Sequence, residues 1–386
     1  MEGDDETINN NDFNIKKFDF IKEKYQLLLN ANEKLNLNKS NINKIIFVYS
    51  APKVGSTSIV SSLRIFGSNK FTIIHVHDEE MLKVLGNINN ITVNEIILFN
   101  KYLGKEIYVI DIYRSPIERK ISVFFEKIGS FHFNNVDSHV NNYNVSTIIN
   151  RFNNIFNYIG IGDHFMDKYD IKIPDQFDYD KKFLLIKQNG INYIKLRLKD
   201  SNFWGNILTN IFKTKICIVK DYESTNKPIK KLYNLFKMKY KIPKNYLDSI
   251  MNCKYLNYYY SADEKEKYFN DWFIKCSENF NGYNLNEYKL YDSLTNENCH
   301  INYIQIDHYL DEGCICKACS VKRMEVASLI QRGLPVTSRI LHNAAKNAFL
   351  QKRFRQINKI NRVLNNLPPN SKPKGFKSNL NNLVNK

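Results

Sequence analysis

From residue 44 the chain alternates short apolar runs with longer segments of helical period. The runs 45–49 (Ile-Ile-Phe-Val-Tyr), 71–76 (Phe-Thr-Ile-Ile-His-Val) and 107–112 (Ile-Tyr-Val-Ile-Asp-Ile) are rich in β-branched residues and predict strands. Apolar positions spaced by three and four predict helices over 56–66, 79–85, 93–103 and 115–127. Strands alternating with helices predict an α/β fold: a parallel β-sheet flanked by helices. Further strands are expected at 191–198 and 215–219, and helices at 228–238, 243–251 and 262–276. Ser261, with Asp263 and Glu264 behind it, reads as the cap and first turn of the last of these. The Asn-rich stretch 131–173 shows no period and reads as an irregular insertion. Within the polar first 43 residues, an amphipathic stretch at 18–29 predicts a helix packed on the domain. The character changes after Tyr291: a cysteine cluster at 307–320 precedes helical patterns at 321–332 and 336–364, and Pro368-Pro369 opens a basic tail. The expected divisions are a polar N-terminal extension (1–43), an α/β domain (44–290), a Cys-containing, mainly helical basic extension (291–366) and a tail (367–386).

Composition changes this picture at three points. The net charge of +17 is concentrated: residues 321–386 hold fourteen Lys and Arg against the single acidic Glu325. A polyanion contact is therefore expected of the C-terminal segment, not of the whole surface; a solvated tail is the competing expectation. The seven cysteines are odd in number and unevenly spread, which argues against a disulfide framework and for a reducing compartment. No run reaches the 18 or so apolar residues of a membrane helix, and the start Met1-Glu2-Gly3-Asp4-Asp5-Glu6 is acidic where a leader would be basic, so a cytoplasmic location is expected. The over-use of Asn, Lys and Ile fits an AT-rich genome, viral or microbial.

Two segments carry candidate chemistry. Ser50-Ala51-Pro52-Lys53-Val54-Gly55-Ser56-Thr57-Ser58 follows the first strand, and Arg114-Ser115-Pro116-Ile117-Glu118-Arg119-Lys120-Ile121-Ser122 follows the third. A strand turning into a helix leaves unpaired N–H groups at the positive end of the helix dipole, which makes an anion site. Two such sites predict a ligand with phosphate at both ends. The first loop is not a Walker A sequence, because Lys53 precedes Gly55 and the loop is too short. Arg114 can grip a phosphate bidentately, whereas a salt bridge to Glu118 is its ordinary alternative.

Pro-Lys-x-Gly-Ser-Thr-Ser at 52–58 resembles the 5′-phosphosulfate loop of sulfotransferases that use 3′-phosphoadenosine 5′-phosphosulfate (PAPS). The spacing of Arg114 and Ser122, with Pro116 and Arg119 between them, resembles the 3′-phosphate motif of the same family. The resemblance covers residues 45–127, continuing more weakly to about 278; the segment 255–272 is loosely similar to bacterial proteins of capsular polysaccharide synthesis. It implies a P-loop NTPase-like sulfotransferase fold and sulfuryl transfer from PAPS, leaving PAP, to a hydroxyl-bearing acceptor, with a carbohydrate the expected class. Pro52, Lys53, Val54, Gly55, Ser56, Thr57, Ser58, Arg114 and Ser122 would then bind the cofactor, and Lys53 would also act on the leaving oxygen. For the general base, His75 and His77 lie two apart at a strand end and share a side, in a His-Val-His stretch resembling that of uronyl and heparan sulfate 2-O-sulfotransferases. Glu79 and Glu80 are the fallback bases. Two other readings stand beside this one: a non-catalytic nucleotide- or polyanion-binding protein, and a nucleotide-dependent kinase, which the absence of a clear magnesium-binding Asp disfavours. Separately, Cys314, Cys316 and Cys319, with His308 upstream, have ligand types suited to a structural zinc; free thiols in a small satellite core are the alternative.

Overall fold

The computed structural model describes residues 19–38, 42–67, 69–126, 128, 144–219, 229–278, 282–289 and 332. The chain divides into two compact units, Met1–Cys314 and Ile315–Lys386, and of the second only Arg332 is among the described residues.

The first unit is α/β. Its central sheet has five strands: β1 (Lys44–Tyr49), β2 (Thr72–Val76), β3 (Glu106–Tyr113), β4 (Phe183–Gln188) and β5 (Ile191–Arg197). Their order is β2-β1-β3-β5-β4, parallel except for the antiparallel edge strand β4. Both faces are covered, so the inner strands read as nearly unbroken apolar runs. On one face Ile46, Val48, Ile110, Ile112, Ile194 and Leu196 pack against α2 (Ser56–Gly67) and, further along the chain, the helix Trp204–Phe212. On the other, Phe47, Val76, Val109 and Tyr193 meet α1 (Phe20–Lys34), α3 (Glu79–Gly86), α4 (Val93–Tyr102) and α5 (Pro116–Glu126). The predicted N-terminal helix is α1, and it inserts Ile21, Leu28 and Ala31 into this core. Asn32 on α1 and Asn100 on α4, both buried, satisfy each other through reciprocal amide hydrogen bonds of 2.8 and 3.1 Å.

Three expectations need correction. Residues 145–154 of the supposedly irregular insertion form helix α6 (Val145–Asn154), capped by the Asn144 side chain and burying Val145, Ile148 and Phe152. A second short helix in that stretch is α7 (His164–Asp167). Residues 215–219 form no strand: the Ile216 N–H bonds the Thr209 hydroxyl and the Val219 N–H bonds Ser62 Oγ, so side chains replace a ladder. Strand β4 and the helix α8 (Trp204–Phe212) escaped the reading altogether.

Beyond α8 come α9 (Lys230–Lys239), α10 (Lys244–Met251), α11 (Lys254–Tyr259) and α12 (Ala262–Phe273), the last with the expected Ser261–Glu264 capping box. Among the described residues no helix is long and apolar enough to cross a membrane.

Candidate functional site

The strand order places the two motif loops together. The chain leaves β1 toward β2 on one side and returns to β3 on the other, so the order reverses between β1 and β3. At such a switch point successive connections diverge and open a crevice beyond the carboxyl ends of the strands, where open parallel sheets bind ligands. The loop 50–55 follows β1, and Arg114 and Ser115 follow β3.

The first loop is built on strained backbone. Gly55 has φ +94°, and a Cβ there would lie 2.9 Å from Leu198 Cδ1 and 3.2 Å from Trp204 Cη2. Glycine therefore lets the loop pass under the end of β5. Lys53 takes φ +66°, a conformation that costs a non-glycine residue about 1–2 kcal/mol. The Lys53 ammonium meets Glu126 Oε2, at the end of α5, at 2.9 Å. Ser56 and Thr57 open α2, where N–H groups lack intrahelical acceptors, while the Ser58 N–H already bonds the Gly55 carbonyl at 3.2 Å.

Arg114 reaches from the second loop to the first, its Nη1 donating to the Lys53 carbonyl at 2.7 Å. The alternative bridge to Glu118 does not form: that carboxylate accepts from Ser115 Oγ (2.5 Å), Tyr268 OH (2.9 Å) and Trp272 Nε1 (3.1 Å). Arg114 Nε is buried without a partner, as is the Ser50 hydroxyl at the end of β1. Burial lowers the Arg114 pKa, partly offset by Tyr233 and Glu118. A desolvated guanidinium with an unmet donor is a ready anion partner. Ser122 lies two turns along α5 and is buried, with no side-chain hydrogen bond among the described residues.

The histidines lie at the same sheet end, behind the loop. His75 and His77 are 1% and 4% exposed, their rings 4.6 Å apart. His75 Nε2 is 3.0 Å from Ser56 Oγ. His77 Nδ1 is 2.6 Å from the Ser50 carbonyl, which can only accept. In the neutral ring, Nδ1 therefore carries the proton and Nε2 the basic lone pair. A third imidazole, His164, donates from Nε2 to the His77 carbonyl at 2.6 Å. Burial pulls its pKa down to about 4, more than that bond restores, so it is neutral at pH 7. Glu79 and Glu80 start α3 beyond Asp78, and Glu80 is exposed and paired with Lys83.

Sequence reasoning missed three features here. Glu126 lies 73 positions along the chain from Lys53, and His164 lies 87 from His77, so only the fold brings each to its partner. The third is a buried charge cluster behind β3, in which Lys195 Nζ bonds Asp111 (2.7 Å) and Asp163, none of them appreciably exposed. Asp163 also caps α7 and accepts from Tyr259 OH at 2.6 Å, so the cluster anchors the segment that carries His164.

Two open hollows of about 380 Å³ lie elsewhere, one at the amino ends of β1 and β2 and one beside α10, and neither is lined by a motif residue. Cys217, Cys253 and Cys276 are free thiols. The proposed zinc ligands Cys314, Cys316, Cys319 and His308 lie outside the described residues, as does the basic tail. Among the described residues no group of His, Cys, Asp and Glu is arranged to hold a metal ion. Comparison of the chain with protein-family models, characterised proteins and solved structures gives no match.

Proposed function

We propose that the protein is a PAPS-dependent sulfotransferase of P-loop-like fold acting on a hydroxyl-bearing acceptor, with carbohydrate the expected acceptor class. The observation that carries this reading is the meeting of both phosphate-type loops at the β1/β3 switch point, joined by the Arg114–Lys53 hydrogen bond.

The residues present fit such a ligand. Ser50 Oγ and Arg114 Nε are buried donors in want of an acceptor, and Gly55 lets the loop backbone fold close. Residues 52–58 would hold the 5′-phosphosulfate; Arg114 and Ser122 would hold the 3′-phosphate. PAPS supplies an activated sulfuryl group for in-line transfer. The protein's contribution is position and electrostatics. Lys53, once drawn from Glu126 by the stronger pull of a phosphate, would place its ammonium against negative charge developing on the leaving oxygen. His77, its tautomer set by the Ser50 carbonyl, would present Nε2 to the acceptor proton, with His75 the neighbouring candidate. Neutral His164 would hold the His77 backbone in place through its 2.6 Å bond.

The test is thermal stability of the full chain with PAP, ADP and AMP. PAP at a hundred to a thousand times its dissociation constant should stabilise by about 3–4 kcal/mol, well beyond ADP at the same concentration. Arg114→Ala should abolish most of that preference, since the preference resides in the 3′-phosphate. Equal stabilisation of the wild type by PAP and ADP would sink the assignment.

A further inference from the structure

Among the described residues five cationic side chains are more than nine-tenths buried: Arg64, Arg119, Lys120, Lys195 and Arg197. Four have an oxygen partner. Arg64 donates to the Ile73 carbonyl, Arg119 to that of Gly162, Lys195 to two aspartates, and Arg197 to Asp200, Glu264 and the Tyr259 carbonyl. Lys120 has none. Its ammonium lies over the ring of Tyr246, 4.3 Å from the centroid, and that of Phe152 at 5.0 Å. Tyr246 is held in place by its hydroxyl, which donates to the Ile159 carbonyl at 2.7 Å. An ammonium gains some attraction from ring faces, but less than it loses in giving up most of its water with no protein oxygen to replace it. The enclosure therefore favours the neutral amine, and burial alone pulls Lys120 down to about 8.

We propose that Lys120 is a reactive amine and a site of acylation by small activated acyl compounds such as acyl phosphates. The neutral Nζ lone pair adds to the acyl carbon and forms the C–N bond. The bond from that carbon to its leaving oxygen then breaks, the phosphate departs with the electron pair, and the nitrogen proton goes to water. No oxidant or reductant takes part. The product is an uncharged amide, which the aromatic walls accommodate at lower cost than the ammonium they now enclose. This inference is independent of the sulfotransferase reading.

Competitive labelling of the folded full-length wild type with trace isotopic acetic anhydride tests it, with peptide mapping from pH 6.5 to 9.5. Lys267 and Lys181, with side chains 77% and 70% exposed, serve as internal references. At pH 7.5 roughly a quarter of Lys120 would be neutral, against on the order of a thousandth of an ordinary lysine. Its lower basicity returns part of that advantage, leaving about tenfold faster labelling if the Brønsted slope resembles that of thiols. The rate at Lys120 should level off above about pH 8, while the references keep rising to pH 9.5. Lys120 labelling slower than Lys267 at pH 7.5, absent throughout, or rising in parallel with Lys267 to pH 9.5 would each overturn the proposal.

Discussion

Among the described residues Lys195 is the only cation paired with the two buried carboxylates Asp111 and Asp163, and Lys195→Met removes it. Methionine matches the lysine stem in volume, so the substitution leaves packing nearly intact and isolates the charge. Asp111 would keep its bonds from the Ile112 and Phe165 N–H groups, and Asp163 those from Tyr259 OH and the Met166 N–H. Neither would keep a compensating charge. Breaking a buried pair from one side costs about 3–5 kcal/mol, a large part of the 5–15 kcal/mol that usually separates a folded domain from its unfolded chain. For a unit of this size the melting temperature should fall by roughly 10 °C.

The pH dependence gives a sharper check. Burial, the largest influence, already raises Asp163 to about 6, although Lys195 pulls it back. An acid whose folded pKa exceeds its unfolded value binds its proton more tightly when folded. The wild type should therefore lose stability from this group as pH rises between about 4 and 6. In Lys195→Met the Asp163 carboxyl would rise further, so the deficit against wild type should be greatest at pH 7–8 and shrink on acidification. The limiting slope for that one group is about 1.4 kcal/mol per pH unit. Urea unfolding at pH 5, 6, 7 and 8 measures both quantities. A deficit under about 1 kcal/mol at pH 7, or one unchanged between pH 8 and 5, would refute the claim that Lys195 compensates two buried charges.

Gly55→Ala should destabilise by about 2–3 kcal/mol, combining the positive-φ penalty with the contacts to Leu198 and Trp204; chemical denaturation showing less than about 0.5 kcal/mol would mean that the loop relaxes freely. Glu126→Gln removes the carboxylate that competes for the Lys53 ammonium. If that partly buried pair is worth about 1 kcal/mol, PAP should bind about fivefold tighter by calorimetry; weaker binding would make Glu126 a support for Lys53.

Much of the local structure was legible because its cause is local. The β-branched runs gave strands β1, β2 and β3 within a residue or so, and the Ser261–Glu264 capping box marked the start of α12. The missed elements left signals of uneven strength. Asn189-Gly190, both at positive φ, turn the hairpin joining β4 to β5, and that dipeptide is a strong hairpin signal. In α6 the apolar positions Val145, Ile148 and Phe152 have helical spacing, masked by the asparagines around them. The misread strand at 215–219 has the right residue types, but no neighbouring strand is there to receive its hydrogen bonds, and Thr209 and Ser62 do so instead.

By itself the sequence determined the class of fold, the two strand-to-helix loops and the residues they offer, because hydrophobic period and turn chemistry act over a few positions. Tertiary structure alone decided what those loops face. The order β2-β1-β3-β5-β4 brings Arg114 to the Lys53 carbonyl across 61 positions of chain, Glu126 to the Lys53 ammonium, and His164 to His77. It also buries Lys195 between Asp111 and Asp163, and places Lys120 over two rings with no oxygen of the described residues to meet it. Hydrophobic burial, which is non-directional, selects that order among the strand arrangements the same pattern allows. The partners of a charged group follow from which strands come to lie side by side, and no spacing along the chain encodes that.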